Sequence, residues 1–183
     1  MGIDRRTVLK YGVGGAVVLA AGGVGLGLRG TVLRPPARPL QCLDGVEFSI
    51  LAALADRICP PGDGFFSATE LEVAEKVDRL LASVHPGVQG EIRQLLRLFE
   101  NALAGFVFDR RFSTFTASPP ELQDATLEAW RTSRLDVRRT GFKALQGLVA
   151  GAYYGSSEVH RSLGYAGPPN YGNVASPFVP EGK

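Results

Sequence analysis

From Asp44 onward the apolar residues of this 183-residue chain return every three or four positions, segment after segment, and proline, glycine or polar clusters separate the segments. Val46, Ile50, Leu54 and Ile58 form one stripe, which ends at Pro60-Pro61. Val73, Val77, Leu80, Leu81 and Val84 form a second. A third helix is expected from about Val88 to Phe108, with Ile92, Leu95, Leu96, Phe99, Leu103 and Phe106 inside. A fourth carries Leu122, Ala125 and Trp130, and a fifth, from about Leu135 to Tyr154, carries Phe142, Leu145, Leu148, Val149 and Ala152. No alternating stretch is long enough for a useful strand. The pattern predicts an all-α fold, a small bundle of about five helices with an irregular Gly/Pro/Tyr-rich C-terminal tail. A chain of this length holds one such core, with no room for a second full domain.

Helix starts are written into the same region. Asp44-Gly45-Val46-Glu47 has an N-cap residue with an acid three positions on. Thr69-Glu70-Leu71-Glu72 repeats that capping-box pattern before the second helix, and Ser118-Pro119-Pro120-Glu121 adds proline at the first helical position. The expected organisation is a leader over residues 1–30, a Pro/Arg-rich linker over 31–43, the helical domain over 44–165 and an extended tail over 166–183.

The leader has a short positive segment followed by an uncharged, weakly hydrophobic run over residues 11–28. Within it, Arg5-Arg6-Thr7-Val8-Leu9-Lys10 resembles the twin-arginine export consensus, with Arg5, Arg6, Leu9 and Lys10 as its matching residues. Val8 stands where Phe is commoner, and Asp4 where Ser or Thr is usual. The alternative is an ordinary secretory signal or membrane anchor that contains an Arg-Arg pair. Eighteen residues of helix reach roughly 27 Å, barely a bilayer core, so both cleavage and a retained anchor stay open. Either way the expected location is the periplasm, in association with the cytoplasmic membrane. Gly25-Leu26-Gly27-Leu28-Arg29-Gly30 fits the letters of a dinucleotide fingerprint, but no strand precedes it and the prolines at 35 and 36 cannot extend a helix after it.

Charge and chemistry narrow the function further. The net charge of +2 comes from the leader, where Arg5, Arg6, Lys10 and Arg29 face only Asp4, and the rest of the chain is close to neutral. Without a basic stripe, nucleic acid is not an expected partner. His85 and His160 are the only histidines and have no carboxylate or cysteine at ligand spacing, so no metal or haem site is expected and each reads as a surface or capping residue. No nucleophile elbow, phosphate loop or haem-attachment pair is present. Neither a catalytic nor a cofactor-binding residue is therefore assigned, and the chain is not expected to be an enzyme. Glu70, Glu72 and Glu75 suit a helix N-terminus; Arg110-Arg111 and Arg138-Arg139 read as partner contacts or as solvated helix faces. Cys42 and Cys59 sit at opposite ends of the first helix, about 20–25 Å apart, too far to pair with each other. An intermolecular disulfide and, for Cys59, a buried reduced thiol remain the two readings.

The C-terminal region carries a resemblance. Phe142-Lys143-Ala144-Leu145 through Gly151-Ala152-Tyr153-Tyr154-Gly155-Ser156, a short turn, then Leu163-Gly164-Tyr165-Ala166-Gly167-Pro168-Pro169 resembles the end of the gluconate 2-dehydrogenase subunit 3 family. Upstream, Leu51-Ala52-Ala53-Leu54-Ala55-Asp56-Arg57-Ile58-Cys59-Pro60 is similar to that family's first helix, with Cys59 where an apolar residue is expected, and Asp63-Gly64-Phe65-Phe66-Ser67-Ala68 is similar to the loop after it. The resemblance covers nearly all of residues 45–170. It implies a small, cofactor-free helical subunit that binds a large FAD-containing dehydrogenase subunit of the glucose-methanol-choline type, with a multihaem cytochrome c as electron acceptor and a sugar or polyol as substrate. FAD is then expected in the partner. Twin-arginine export moves folded proteins, so the signal would serve that flavoprotein, carried across by the twin-arginine translocase together with this chain. The alternative is a free-standing, membrane-anchored binding or assembly protein of the periplasm. Tyr153, Tyr154, Gly164, Tyr165, Pro168, Pro169 and Tyr171 are the expected partner contacts, because tyrosines among glycine and proline give contact area at low entropic cost; the alternative is that they pack back on their own bundle.

Overall fold

In the computed structural model, which describes residues 30–62, 64–101 and 113–165, the chain is built outward from one buried helix. Helix α1, Gly45–Ile58, buries Glu47, Phe48, Ser49, Ile50, Leu51, Ala52, Leu54 and Ala55, which span most of its circumference, so it must be covered on most sides. Around it stand α2, Val73–Ala82; α3, Pro86–Glu100; α4, Pro120–Arg131; and α5, Asp136–Tyr154. A short sixth helix, α6, Ser157–Ser162, follows α5 and packs on it. The described residues contain no strand, only an isolated bridge between Gly62 and Phe65. The all-α expectation of about five helices holds, with six among the described residues.

The start of α1 is the expected capping box. Asp44 Oδ1 accepts from the Glu47 N–H at 2.8 Å, and Glu47 Oε2 accepts from the Asp44 N–H at 3.0 Å. Glu47 is fully buried, and two arginines of α3 neutralise it. Arg93 Nε donates to Oε2 at 2.8 Å, and Arg97 Nε lies 2.9 Å from Oε1 as an ion pair without hydrogen-bond alignment. Arg97 also reaches Asp44 at 2.8 Å. The cap of one helix is thereby its tie to another.

The other two expected starts are displaced. Before α2 the box is formed by Ser67 and Glu70: the Ser67 N–H and hydroxyl donate to Glu70 Oε2 at 2.7 and 2.8 Å, and the Glu70 N–H donates to Ser67 Oγ at 3.1 Å. Thr69, the cap expected from the sequence, instead donates to Asp56 of α1, and the chain enters α2 through Glu72 in the left-handed region at φ 50° with no side-chain cap. Before α4 the cap position is Pro119; the Ser118 hydroxyl is buried and donates to the Thr114 carbonyl at 2.7 Å. Two expected core residues are exposed. Leu80 lies off the stripe of Val73, Val77 and Leu81, and Ala125 lies off the one formed by Gln123, Thr126 and Trp130. Leu103 and Phe106 lie outside the described residues.

At the end of the bundle where α3 and α4 meet, Phe99, Phe115 and Trp130 interlock, with ring centroids 4.7 Å apart for Phe99–Phe115 and 4.6 Å for Phe99–Trp130. Residues 30–43 contain no helix and lie along α1, α2 and the turn at 113–118.

Candidate partner-binding surface

Helix α5 carries the expected tyrosine pair, and its register separates the two. Phe142, Leu145, Val149 and Tyr153 follow one another at spacings of three and four and are all buried, so Tyr153 completes the core stripe. Its hydroxyl donates to the Phe66 carbonyl at 2.7 Å, fastening the 60–72 loop to α5, and burial pushes the hydroxyl pKa up. The assignment of Tyr153 as a partner contact is corrected accordingly: its side chain is spent inside this chain. Tyr154, one residue on, is 54% exposed and meets Tyr153 edge-to-face with centroids 5.3 Å apart. The 142-145-149-153 spacing was the signal that distinguishes them.

Where the sequence suggested a short turn, α6 is inserted, and Val159 is buried in the core. The end of this helix explains the Leu163-Gly164-Tyr165 triplet. Gly164 takes φ +67°, its N–H donates to the Arg161 carbonyl at 3.1 Å, and the Tyr165 N–H donates to the His160 carbonyl at 2.8 Å. These are the two bonds of a Schellman motif, which favours glycine at the left-handed position. The reversal sets the Tyr165 ring edge-on to His160 at 5.2 Å and leaves both Leu163 and Tyr165 about half exposed. Tyr154, Leu163 and Tyr165 are thus large apolar or aromatic side chains displayed by α5 and the end of α6. Pro168, Pro169 and Tyr171 lie outside the described residues.

A second apolar region was not foreseen from the sequence. Between α3 and the first half of α5 lies a groove of about 500 Å³, lined by Ile92, Leu95, Leu98, Val137 and Ala144, with Leu98 and Val137 exposed. Their positions off the buried stripes were its only trace in the sequence. Neither reading of the Arg138-Arg139 pair as a unit holds. Arg138 is buried with its guanidinium 5.1 Å over the Trp130 ring, while Arg139 bonds Asp136 and the Ser133 carbonyl. Arg110-Arg111 lie outside the described residues.

The groups screened for chemistry occupy structural places. His85 caps α3, its Nδ1 accepting from the Gly87 N–H at 3.1 Å. Glu70 completes the Ser67 box, Glu72 pairs with Arg38 at 2.9 Å, and Glu75 accepts from the Ala37 N–H at 3.1 Å. Cys42 is half-buried and Cys59 buried, and both are free thiols. Burial pushes both pKa values up, reinforced at Cys42 by the charge of Asp78. Raised thiols are poor nucleophiles, and an intermolecular bridge through Cys59 requires that the sulfur leave the core. Among the described residues no group of three or more His, Cys, Asp or Glu is gathered as a metal site would need, and no helix is long and apolar enough to cross a membrane. Arg5, Arg6, Leu9 and Lys10 lie outside the described residues.

Compared with the models of known protein families, residues 46–167, about two thirds of the chain, match the one described as gluconate 2-dehydrogenase subunit 3. No curated protein and no solved structure matches the chain.

Proposed function

Because the chain belongs to the gluconate 2-dehydrogenase subunit 3 family, the small accessory subunits of dehydrogenase complexes, we propose that it binds and stabilises a large FAD-dependent catalytic subunit and escorts it through export. The observation that carries the reading is the family match across α1 to α6. The partner is a sugar or polyol dehydrogenase of the glucose-methanol-choline type, with a multihaem cytochrome c as the next electron carrier. Catalysis and FAD belong to that partner. This chain contributes a rigid helical body and exposed side chains for contact, with Tyr154, Leu163 and Tyr165 as the first candidates.

The export half rests on Arg5, Arg6, Leu9 and Lys10. A flavoprotein acquires its cofactor where it folds, and a translocase for folded proteins then moves it. A signal of that kind on a chain with no assigned cofactor residue is best explained by a passenger that binds it beforehand. The assembled complex then works in the periplasm at the cytoplasmic membrane, held there by its other subunits or by a retained leader.

The test is co-expression with the candidate flavin subunit, comparing the wild type with Arg5→Lys/Arg6→Lys and following flavin-dependent dye reduction in cytoplasmic and periplasmic fractions. The double substitution is expected to strand the activity in the cytoplasm. Unchanged export overturns the escort role and favours a free-standing, membrane-anchored binding or assembly protein.

A further inference from the structure

Residues 30–43 precede the span that matches the family, and their composition reads as a spacer, yet nearly every polar contact they make reaches a distant part of the chain. The buried Asp78 of α2 takes three consecutive backbone N–H groups, from Gln41 at 2.7 Å, Cys42 at 3.0 Å and Leu43 at 2.8 Å. The Ala37 N–H donates to Glu75, and the Arg34 N–H to Ser49 Oγ at 2.9 Å. Arg34 also pairs with Asp56 at 2.7 Å, and Arg38 with Glu72. Nearest the leader, the Val32 N–H donates to Thr116 Oγ1 at 2.9 Å and Thr114 Oγ1 donates to the Gly30 carbonyl at 3.2 Å. Thr116 is in turn held by Glu100, a fully buried carboxylate at the end of α3, which accepts from its N–H at 2.9 Å.

These partners are drawn from α1, α2 and the 113–118 turn, up to 84 residues away in sequence. No local piece of the chain can form the set; it exists only once those elements have packed together. We infer that residues 30–43 are a strap belonging to the folded subunit, which closes on the assembled bundle and fixes the root of the leader beside Thr114 and Thr116. Left free, a segment of this length would let the leader wander by about 20 Å; closed, it removes that slack. The strap is held by hydrogen bonds and ion pairs along its length, and at its α1 end also by packing, where Leu43 is buried in the core with Leu40 and Cys42 against it. A cavity of about 230 Å³ remains beneath it, between Pro35 and Ala37 above and Phe48, Ala52, Ala55 and Ala74 below. Loss of Thr116 as acceptor therefore frees the end nearest the leader, while loss of Asp78 frees the backbone of Gln41 and Cys42 and leaves Leu43 anchored by its side chain.

The placement of the strap stands independently of the export reading; its consequence for leader processing rests on that reading. If the leader is removed, the cut must fall ahead of the closed strap, since a peptidase needs an extended, unbonded substrate.

Two measurements on the full-length chain separate these parts. The first is amide hydrogen exchange of the wild type, Asp78→Ala and Thr116→Val. In the wild type the amides of Val32, Arg34, Ala37 and Gln41 to Leu43 are expected to exchange at least about tenfold slower than an unstructured chain. Asp78→Ala is expected to bring Gln41 and Cys42 toward the unstructured rate while the buried Leu43 keeps part of its protection, and Thr116→Val to return Val32 to that rate, with α5 still protected in both. Unstructured rates across 31–43 in the wild type overturn the strap. The second is the intact mass of the chain recovered from the periplasm, for which a first residue at or before Gly30 is expected. A first residue within 31–43 overturns the strap's hold on the leader. A chain that never reaches the periplasm, with its strap amides protected, refutes the export reading and leaves the strap standing.

Discussion

Glu47 shows most clearly how single side chains decide this fold. Its carboxylate is wholly buried, whereas Arg93 and Arg97 each keep about two fifths of their side chains in solvent. The two halves of the interaction are therefore unequal. Glu47→Gln leaves arginines that can turn to water and is expected to cost about 1–3 kcal/mol. The double substitution Arg93→Met/Arg97→Met strands a buried charge and is expected to cost about 3–5 kcal/mol. Urea unfolding of both variants checks the order, and a larger loss in Glu47→Gln contradicts it. A second contrast separates stability from assembly. Tyr153→Phe removes the bond to Phe66 and is expected to lower stability by about 1 kcal/mol while leaving partner affinity intact. Tyr154→Ala combined with Tyr165→Ala is expected to do the reverse, weakening the complex with little change in melting temperature. Titrating both variants against the catalytic subunit and melting them alone decides between surface and core roles. At this scale the sequence was partly legible: the tyrosine pair was visible, but which tyrosine faces in depended on helical phase read from Phe142, Leu145 and Val149.

Among the elements, α1 was the most legible, because its capping box and its continuous apolar composition agree with each other. That cap has a pH signature. Burial of Asp44 pushes its pKa up, but the Glu47 N–H and Arg97 outweigh it, so the net shift is downward. A carboxyl with a depressed folded pKa contributes its stability fully above the unfolded value, about 3.9, and loses it as pH falls through the folded value. Asn also caps helices well, so Asp44→Asn keeps the cap and removes the titration and the ion pair with Arg97. Denaturation curves between pH 6 and pH 3 are expected to show the wild type losing its advantage over Asp44→Asn below about pH 4. Parallel curves across that range contradict the assignment. The starts of α2 and α4 were misplaced, by three residues and by one, and for α2 the reason is definite. Ser67–Glu70 and Thr69–Glu72 fit the same pattern, and only the tertiary contact of Thr69 with Asp56 selects the first. α6 was missed because its six residues are too few to show a period, and its one buried residue, Val159, gives no stripe. The strap could not be seen at all, since Pro and Arg composition says nothing of the carboxylates waiting on other helices.

For the whole molecule, the all-α class followed from periodicity alone, and the resemblance read over residues 45–170 agrees with the family match over 46–167. The proposed partner surface was less legible, because a site for another chain has no internal chemistry to announce it. Exposed Tyr154, Leu163 and Tyr165 and the groove at Leu98 and Val137 emerge only when the helices are packed. The central claim is that this chain is a structural subunit of a dehydrogenase. The most direct measurement is the mass and composition, by size exclusion with light scattering, of material purified through a tag on this chain after co-expression with the candidate flavin subunit. One species containing both chains in a fixed ratio, carrying flavin and reducing dye, is the expected result. Two separate peaks, with this chain running alone and the flavoprotein fully active without it, would contradict the claim.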